Sequence, residues 1–340
     1  MTRRDVVVVG ASAGGIEALR ELLAALPADL PAAILVVLHL PREARSRLPQ
    51  VLDRASALPV RAAVDGAPLE LGAVSVAVPD RHLLVVGDSM ALTRGPRENS
   101  SRPAVDVLFR SVAKARGNRV VAIVLSGALD DGAAGVVAVR ARGGVAIAQD
   151  PSEALYPSMP RHAISAGVDH VVPVAAMPGL LAELLAEEVD PAAAPAPSEL
   201  MTEETAMASL EPGSMHPLDR PGTPSPLACP SCHGVLFAIE EGGLERYRCR
   251  VGHAWSGQAL AAEQDQALEG ALWMALRGLE ERSALALRMA ERADVRGHRH
   301  SATTFHGRHA EAQQAAGLLR GMLERGELVG PELPDGSEEE

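Results

Sequence analysis

The chain has 340 residues, with 32 Lys and Arg against 44 Asp and Glu, a formal charge of −12, and few aromatics. That length calls for more than one domain, and acidity without a basic block argues against nucleic acid or an anionic membrane as partner. Lys114 is the only lysine, which rules out a Walker A loop and disfavours Schiff-base chemistry. No apolar run reaches about 18 uncharged residues, so no membrane insertion is expected. The apolar stretch after Arg3-Arg4 is too short for a signal peptide, and a cytoplasmic protein is expected.

The first element is the run Val6 to Val9, which reads as a buried parallel strand. It enters Gly10-Ala11-Ser12-Ala13-Gly14-Gly15, and Ile16, Leu19, Leu22, Leu23 and Leu26 then recur at helical spacing. Ser12 therefore lies in a strand-to-helix turn, beside backbone N–H groups that a helix leaves unpaired. Three readings fit. Gly10-x-Ser12-x-Gly14 matches a nucleophile elbow; Gly10-x-Ser12-x-x-Gly15 is one substitution from a dinucleotide fingerprint; or Ser12 only caps the helix.

A second strand, 33–38, ends in His39, where a dinucleotide site wants an acid for the ribose hydroxyls. An imidazole suits a general base instead. A third, 120–125, runs into Ser126-Gly127-Ala128-Leu129-Asp130-Asp131-Gly132. Parallel strands put their carboxyl ends side by side, so a serine, a histidine and an aspartate, each just past its own strand, make a constellation for nucleophilic acyl transfer. Their order along the chain differs from that of α/β-hydrolases. Strands expected at 6–9, 33–38, 74–78, 83–86, 120–125, 144–148 and 170–172 alternate with helices, which predicts an α/β fold with a doubly wound, mostly parallel sheet.

Residues 188–226, rich in Pro, Ala, Met and Glu, read as a flexible linker. All three cysteines follow. Cys229-x2-Cys232 and Cys249-x3-His253 have the spacing of a structural zinc site, with His233 as a competing ligand for His253. Val235–Ile239 and Leu244–Arg248 predict a hairpin between the two knuckles, giving a zinc-ribbon-like module over 227–257; reduced thiols without metal are the alternative. Helices expected over about 258–292 and 302–326 predict an antiparallel helical hairpin within 258–328. An acidic tail, 329–340, completes the chain.

Residues 1–187 resemble the catalytic domain of the chemotaxis protein-glutamate methylesterases (CheB-type). The resemblance rests on Gly-Ala-Ser-x-Gly-Gly at 10–15, the strand ending in His39, Val78-Pro-Asp-Arg-His-Leu83 and Ser101-Arg-Pro-Ala-Val-Asp-Val-Leu-Phe-Arg-Ser-Val112. Leu125-Ser-Gly-x-x-x-Asp131-Gly-Ala-x-Gly135, Ala148-Gln-Asp150 and Pro157-Ser-Met-Pro160 extend it. The departures are Ala13 for the usual Thr, Ala128 for Met and Asp130 for Asn; Asp130 is expected to add negative charge near the histidine.

The resemblance implies a carboxylic-ester hydrolase whose triad is Ser12, His39 and Asp131, with the backbone N–H groups of Ala128 and Ala13 as oxyanion donors. It implies no cofactor for catalysis, glutamyl methyl esters on chemoreceptor methylation helices as substrate, and glutamine deamidation as a related activity. The usual receiver domain is expected to be missing from this chain, because the catalytic strand begins near residue 5. Arg42, Arg45, Arg47, Arg94, Arg97 and Arg102 suggest a basic rim that steers acidic helices, or else ordinary solvated arginines. A signalling partner for the C-terminal part is a further expectation. The competing reading is a non-catalytic signalling scaffold that keeps the fold and binds partners through that tail.

Overall fold

The structure is a computed structural model and describes residues 2–39, 47–213 and 222–325. Arg42, Arg45 and the expected acidic tail lie outside the described residues. The chain divides between Leu260 and Ala261 into two compact units.

The first unit opens with β1 (Thr2–Arg3), β2 (Val6–Ala11), α1 (Gly15–Ala24), β3 (Ala33–Leu38), α2 (Leu48–Asp53), β4 (Val60–Ala62) and β5 (Val74–Val76). It continues through β6 (His82–Val86), β7 (Ser89–Thr93), α3 (Val105–Arg116), β8 (Val120–Val124) and α4 (Ala133–Ala141). Then come β9 (Val145–Gln149), α5 (Ser158–Ser165), β10 (His170–Val172) and α6 (Met177–Ala186). Seven strands form one parallel sheet in the order β10-β9-β8-β2-β3-β5-β4.

The central strands β2, β3 and β8 are apolar throughout because both faces of the sheet are covered there. Val7, Val9, Ile34, Val36, Val121 and Ile123 face a core closed by α1, α2 and α6. Their alternates Val6, Val8, Leu35, Val37, Val120 and Ala122 face a second core, under α3, α4 and α5. The chain moves outward from β2 through β3 and then returns to β8 on the other side, so the crevice between β2 and β8 is a topological switch point. Gly10 lets α3 approach there: a Cβ at this position would lie 2.3 Å from a Val105 methyl.

Two expectations are corrected. The strand expected at 83–86 is not in the main sheet; β6 pairs with β7 as an antiparallel hairpin whose turn is Gly87-Asp88. The expected linker 188–226 contains ordered structure. Its β11 (Glu188–Val189) pairs with β1, and α7 (Glu199–Ser209) is capped by Ser198, whose Oγ accepts the Met201 N–H at 3.0 Å. Composition misled because Glu204 reads as solvating, yet it is fully buried against arginines from distant segments.

The strands β12 (Thr223–Ala228), β13 (Val235–Glu241), β14 (Leu244–Cys249) and β15 (Ala254–Ser256) form a separate antiparallel sheet. Its small core holds Cys229, Leu236, Cys249 and Trp255 with Ala259 and Leu260 from the start of α8 (Gly257–Val295). In the second unit the rest of α8 runs antiparallel to α9 (Arg299–Arg325). Ser283 meets His309 at 2.8 Å, His306 meets Asp294 at 3.0 Å, and Arg320 pairs with Glu280. Among the described residues, no helix is long and apolar enough to cross a membrane.

Candidate active site

Three loops at the carboxyl ends of β2, β3 and β8 converge at the switch point. Ser12 leaves β2 in a turn closed by the Gly15 N–H to Ser12 O bond at 3.0 Å, with Gly14 in the left-handed region at φ 69°. The N-cap of α1 is Gly14 and not Ser12, and no side chain caps the helix, so the capping reading of Ser12 fails. Its hydroxyl faces His39 instead: Oγ lies 3.2 Å from His39 Nδ1. On the other side of the ring, Nε2 lies 2.7 Å from Asp131 Oδ2. Turning the ring over would set carbon at both contacts, so the two partners fix its orientation. A carboxylate only accepts; Nε2 therefore carries the hydrogen and Nδ1 presents a lone pair to the Ser12 hydroxyl.

Asp131 is buried and held by donors alone. Oδ2 also accepts the Val105 N–H at 2.7 Å, and Oδ1 accepts the Asp106 N–H at 3.1 Å and Asn99 Nδ2 at 3.4 Å. Val105 and Asp106 open α3, so the carboxylate sits on unpaired amides at a helix N-terminus. Burial alone would raise its pKa, but the hydrogen bond and charge of His39, with the two amides, bring it below the ordinary carboxylate value. Its neighbour goes the other way. Burial first, then the charge of Asp131, push Asp106 well above the ordinary value, and its Oδ1 accepts the N–H groups of Gly132 (3.0 Å) and Gly135 (2.7 Å). The same fold thus pushes two adjacent carboxyls in opposite directions.

Asp130, whose charge interacts with that of Asp131, accepts Ser256 Oγ–H at 2.7 Å, and burial raises its pKa. Ser126 Oγ donates to Ala13 O at 2.8 Å, and the Gly127 N–H is taken by Tyr156 O at 2.9 Å. Gly127 packs on Ser12, where a Cβ would come within 2.9 Å of Ser12 Cβ. Among the described residues the Ala13 and Ala128 amides donate to no partner.

The arginine rim is mostly committed elsewhere. Arg102 pairs with Asp80 at 2.6 Å and donates to Gly95 O at 2.9 Å, while Arg97 donates to Ser100 O at 3.2 Å. Arg94 approaches Asp80 at 3.7 Å, and Arg47 is exposed. Asn99 and the opening amides of α3 were not found from the sequence. The one available signal was an acid at the start of a strongly apolar helix, Val105-Asp106-Val107-Leu108.

A second cluster lies in the four-stranded sheet. The donor atoms of Cys229, Cys232, Cys249 and His253 all lie within 4.8 Å of one another. Cys232 Sγ to Cys249 Sγ is 3.5 Å, and His253 Nδ1 lies 3.5 Å from Cys249 Sγ and 3.8 Å from Cys229 Sγ. A tetrahedral zinc with Zn–S of about 2.3 Å and Zn–N of about 2.0–2.1 Å needs edges of about 3.6–3.8 Å, so the residues fit the ion. Trp255 Nε1–H points at Cys229 Sγ at 3.4 Å, a donor of the kind that steadies a metal-bound thiolate. A hydrogen bond from Cys249 holds Cys229 near pKa 3, against burial. His233, the competing ligand, is not in the group.

Residues 7–181, just over half the chain, match the family described as CheB methylesterase. The chain belongs to the CheB methylesterase family. It is 40% identical over 180 residues to protein-glutamate methylesterase/protein-glutamine glutaminase 2 of Methanosarcina mazei, covering 50% of this chain and 49% of that protein. It is 42% identical over 173 residues to the protein-glutamate methylesterase/protein-glutamine glutaminase of Symbiobacterium thermophilum, covering 50% and 48%. The Thermotoga maritima CheB methylesterase catalytic domain superposes with a TM-score of 0.52 at 33% identity, covering 54% of this chain and 99% of that one. This CheB-family chain spans about half the length of the curated relatives it matches, and the shared part is the parallel sheet that carries Ser12, His39 and Asp131.

Proposed function

We propose that this chain is a protein-glutamate methylesterase that hydrolyses glutamyl γ-methyl esters on methyl-accepting receptor proteins, and that the same acyl chemistry deamidates glutamine. One observation carries the reading: an imidazole held between Ser12 Oγ and a carboxylate that is itself anchored on a helix N-terminus. The names of the relatives support the substrate class. A chain kept only for binding has no need of that arrangement, so the scaffold reading is not favoured.

His39 Nδ1 takes the Ser12 proton as Oγ attacks the ester carbonyl, and Asp131 stabilises the imidazolium through Nε2–H. The Ala13 and Ala128 amides stabilise the oxyanion, at about 2.7–4 kcal/mol per donor by analogy with side-chain donors. His39 returns the proton to departing methanol, or to ammonia from glutamine, and then activates the water that hydrolyses the glutamyl ester of Ser12. Catalysis takes no cofactor. Cys229, Cys232, Cys249 and His253 would hold one zinc ion, which would cross-link the two knuckles and play a structural part only. The chain works in the cytoplasm, where receptor methylation helices are reached without crossing a membrane.

The test is covalent labelling by a fluorophosphonate. Wild type is expected to label on Ser12, and Ser12→Ala to lose the label and at least about 10³-fold of its esterase rate. Equal labelling of the two proteins, or none in wild type, refutes the mechanism.

A further inference from the structure

Among the described residues, the four-stranded sheet reaches the Asp131 carboxylate through one side chain, that of Asn99. Its edge strand β15 pairs with the loop before α3: Ala254 N–H donates to Arg97 O at 3.2 Å, and Asn99 N–H donates to Ala254 O at 2.9 Å. The Ser256 N–H donates to Asn99 Oδ1 at 2.9 Å. That bond settles the orientation of the amide, because with Oδ1 on Ser256 the Nδ2 group must face the acids. It donates to Asp106 Oδ2 at 3.2 Å and to Asp131 Oδ1 at 3.4 Å. Asn99 and Ser100 are held at φ 49° and 60°, a left-handed pair without glycine, which persists only where surrounding structure imposes it.

The same strand begins one residue after His253. Cys249 N–H donates to His253 O at 3.0 Å, closing the knuckle, and Trp255 on β15 donates to Cys229 Sγ. Ion pairs press the module onto the catalytic domain beside this point: Arg248 reaches Glu98 Oε1 at 2.9 Å, where Arg110 of α3 also binds at 2.7 Å. From the Cys3His group to Asp131 the connected path is His253, Ala254–Ser256, Asn99 and the carboxylate.

We propose that a soft divalent cation, zinc, bound by Cys229, Cys232, Cys249 and His253 sets the position of the triad aspartate, with Asn99 as the positioning residue that transmits it. Metal closes the second knuckle and fixes β15. The strand then holds Asn99 in its left-handed conformation with Nδ2 on Asp131. Without metal the knuckle opens, Asn99 is released, and Asp131 loses a donor along with the wall that keeps Val105 and Asp106 N–H groups aimed at it. The catalytic part of this inference rests on the hydrolase reading above.

The experiment uses the full chain, with zinc and after stripping by a high-affinity chelator. Zinc removal is expected to slow Ser12 labelling about tenfold and to raise hydrogen exchange at Asn99, Val105 and Asp106 while Val7 and Val121 stay protected. Asn99→Ala is expected to keep one zinc per chain and to lower kcat on a model ester about tenfold at unchanged KM. Zinc removal from Asn99→Ala should then cost no more than about twofold further. An unchanged rate and unchanged exchange on stripping wild type, or a wild-type kcat in Asn99→Ala, overturns the proposal. Equal deprotection at Val7 and Val105 also overturns it, because the metal then supports the whole fold. If wild type never labels, the hydrolase reading fails by itself, and the exchange measurement still decides the coupling.

Discussion

Two histidines in this chain show how differently burial treats one residue type. His39 lies partly exposed between a hydroxyl and a carboxylate, whereas His82 is wholly buried, donating Nε2–H to Pro96 O at 2.8 Å and accepting the Ala104 N–H on Nδ1 at 3.3 Å. That leaves His82 no room for a second proton. Burial takes its pKa down to about 4, with the charge of Glu98 opposing. The folded pKa lies below the unfolded one, so the stability concerned is complete above pH 6.5 and is lost as pH falls toward 4, by about 3 kcal/mol in all. His82→Gln removes this titration. Denaturant unfolding at pH 7 and pH 4 should show the stability difference between wild type and variant move by about 3 kcal/mol in favour of the variant at the acid end; the same difference at both pH values counts against a buried neutral imidazole. Ser12, His39 and Asp131 were legible in the sequence because each follows an apolar strand whose end is easy to find. The anchor of Asp131 was not, because it consists of main-chain amides and one asparagine brought in from other segments.

At the scale of elements, α7 is the clearest case of a helix that composition hides. Met201, Met207 and Ala208 bury one side of it, but Glu204 decides its place. Its carboxylate meets Arg246 at 2.9 Å and Arg248 at 3.0 Å from β14, and Arg110 from α3 at 3.4 Å. Burial pushes Glu204 up, yet the three guanidinium charges carry it far below the ordinary carboxylate range. In the sequence, Glu203-Glu204 looks like any solvated pair; only the fold brings three arginines onto one of them. The hairpin β6–β7 failed differently: the apolar run at 83–86 was legible as a strand, but a strand run alone does not say which sheet it joins. Truncating one partner of a buried ion network leaves the others uncompensated. Glu204→Ala is expected to destabilise the first unit by about 3–5 kcal/mol in urea unfolding, and Glu204→Gln by less because its amide still fills the site. A loss below about 1 kcal/mol for the alanine variant would mean the network is solvated in solution.

On the scale of the whole molecule, the described residues proposed for the chemistry all lie in the first unit. The triad, its amide anchors, Asn99 and the Cys3His group all come from residues 12–253, and Ser256 closes the path between them. The four-stranded sheet needs a little more chain, because Ala259 and Leu260 in the first turn of α8 complete its core and Ser256 Oγ accepts the Ala259 N–H at 3.0 Å. The helical pair α8–α9 is tied within itself by Ser283, His309, Asp294 and His306. This division predicts where the chain can be shortened. A protein ending at Gly270 retains every residue of the small core and is expected to keep one zinc per chain, a Ser12 labelling rate within about twofold of the full chain, and an unfolding midpoint within about 3 °C. One ending at Arg250 lacks His253, Trp255 and Ser256, and should lose the metal and about tenfold in labelling rate. A shortened chain ending at Gly270 that labels as slowly as the one ending at Arg250 would assign the helical pair a part in catalysis. The expected pattern leaves α8–α9 for a task other than chemistry, such as docking a signalling partner, and binding assays on the Gly270 protein can then score that loss without any confounding loss of activity.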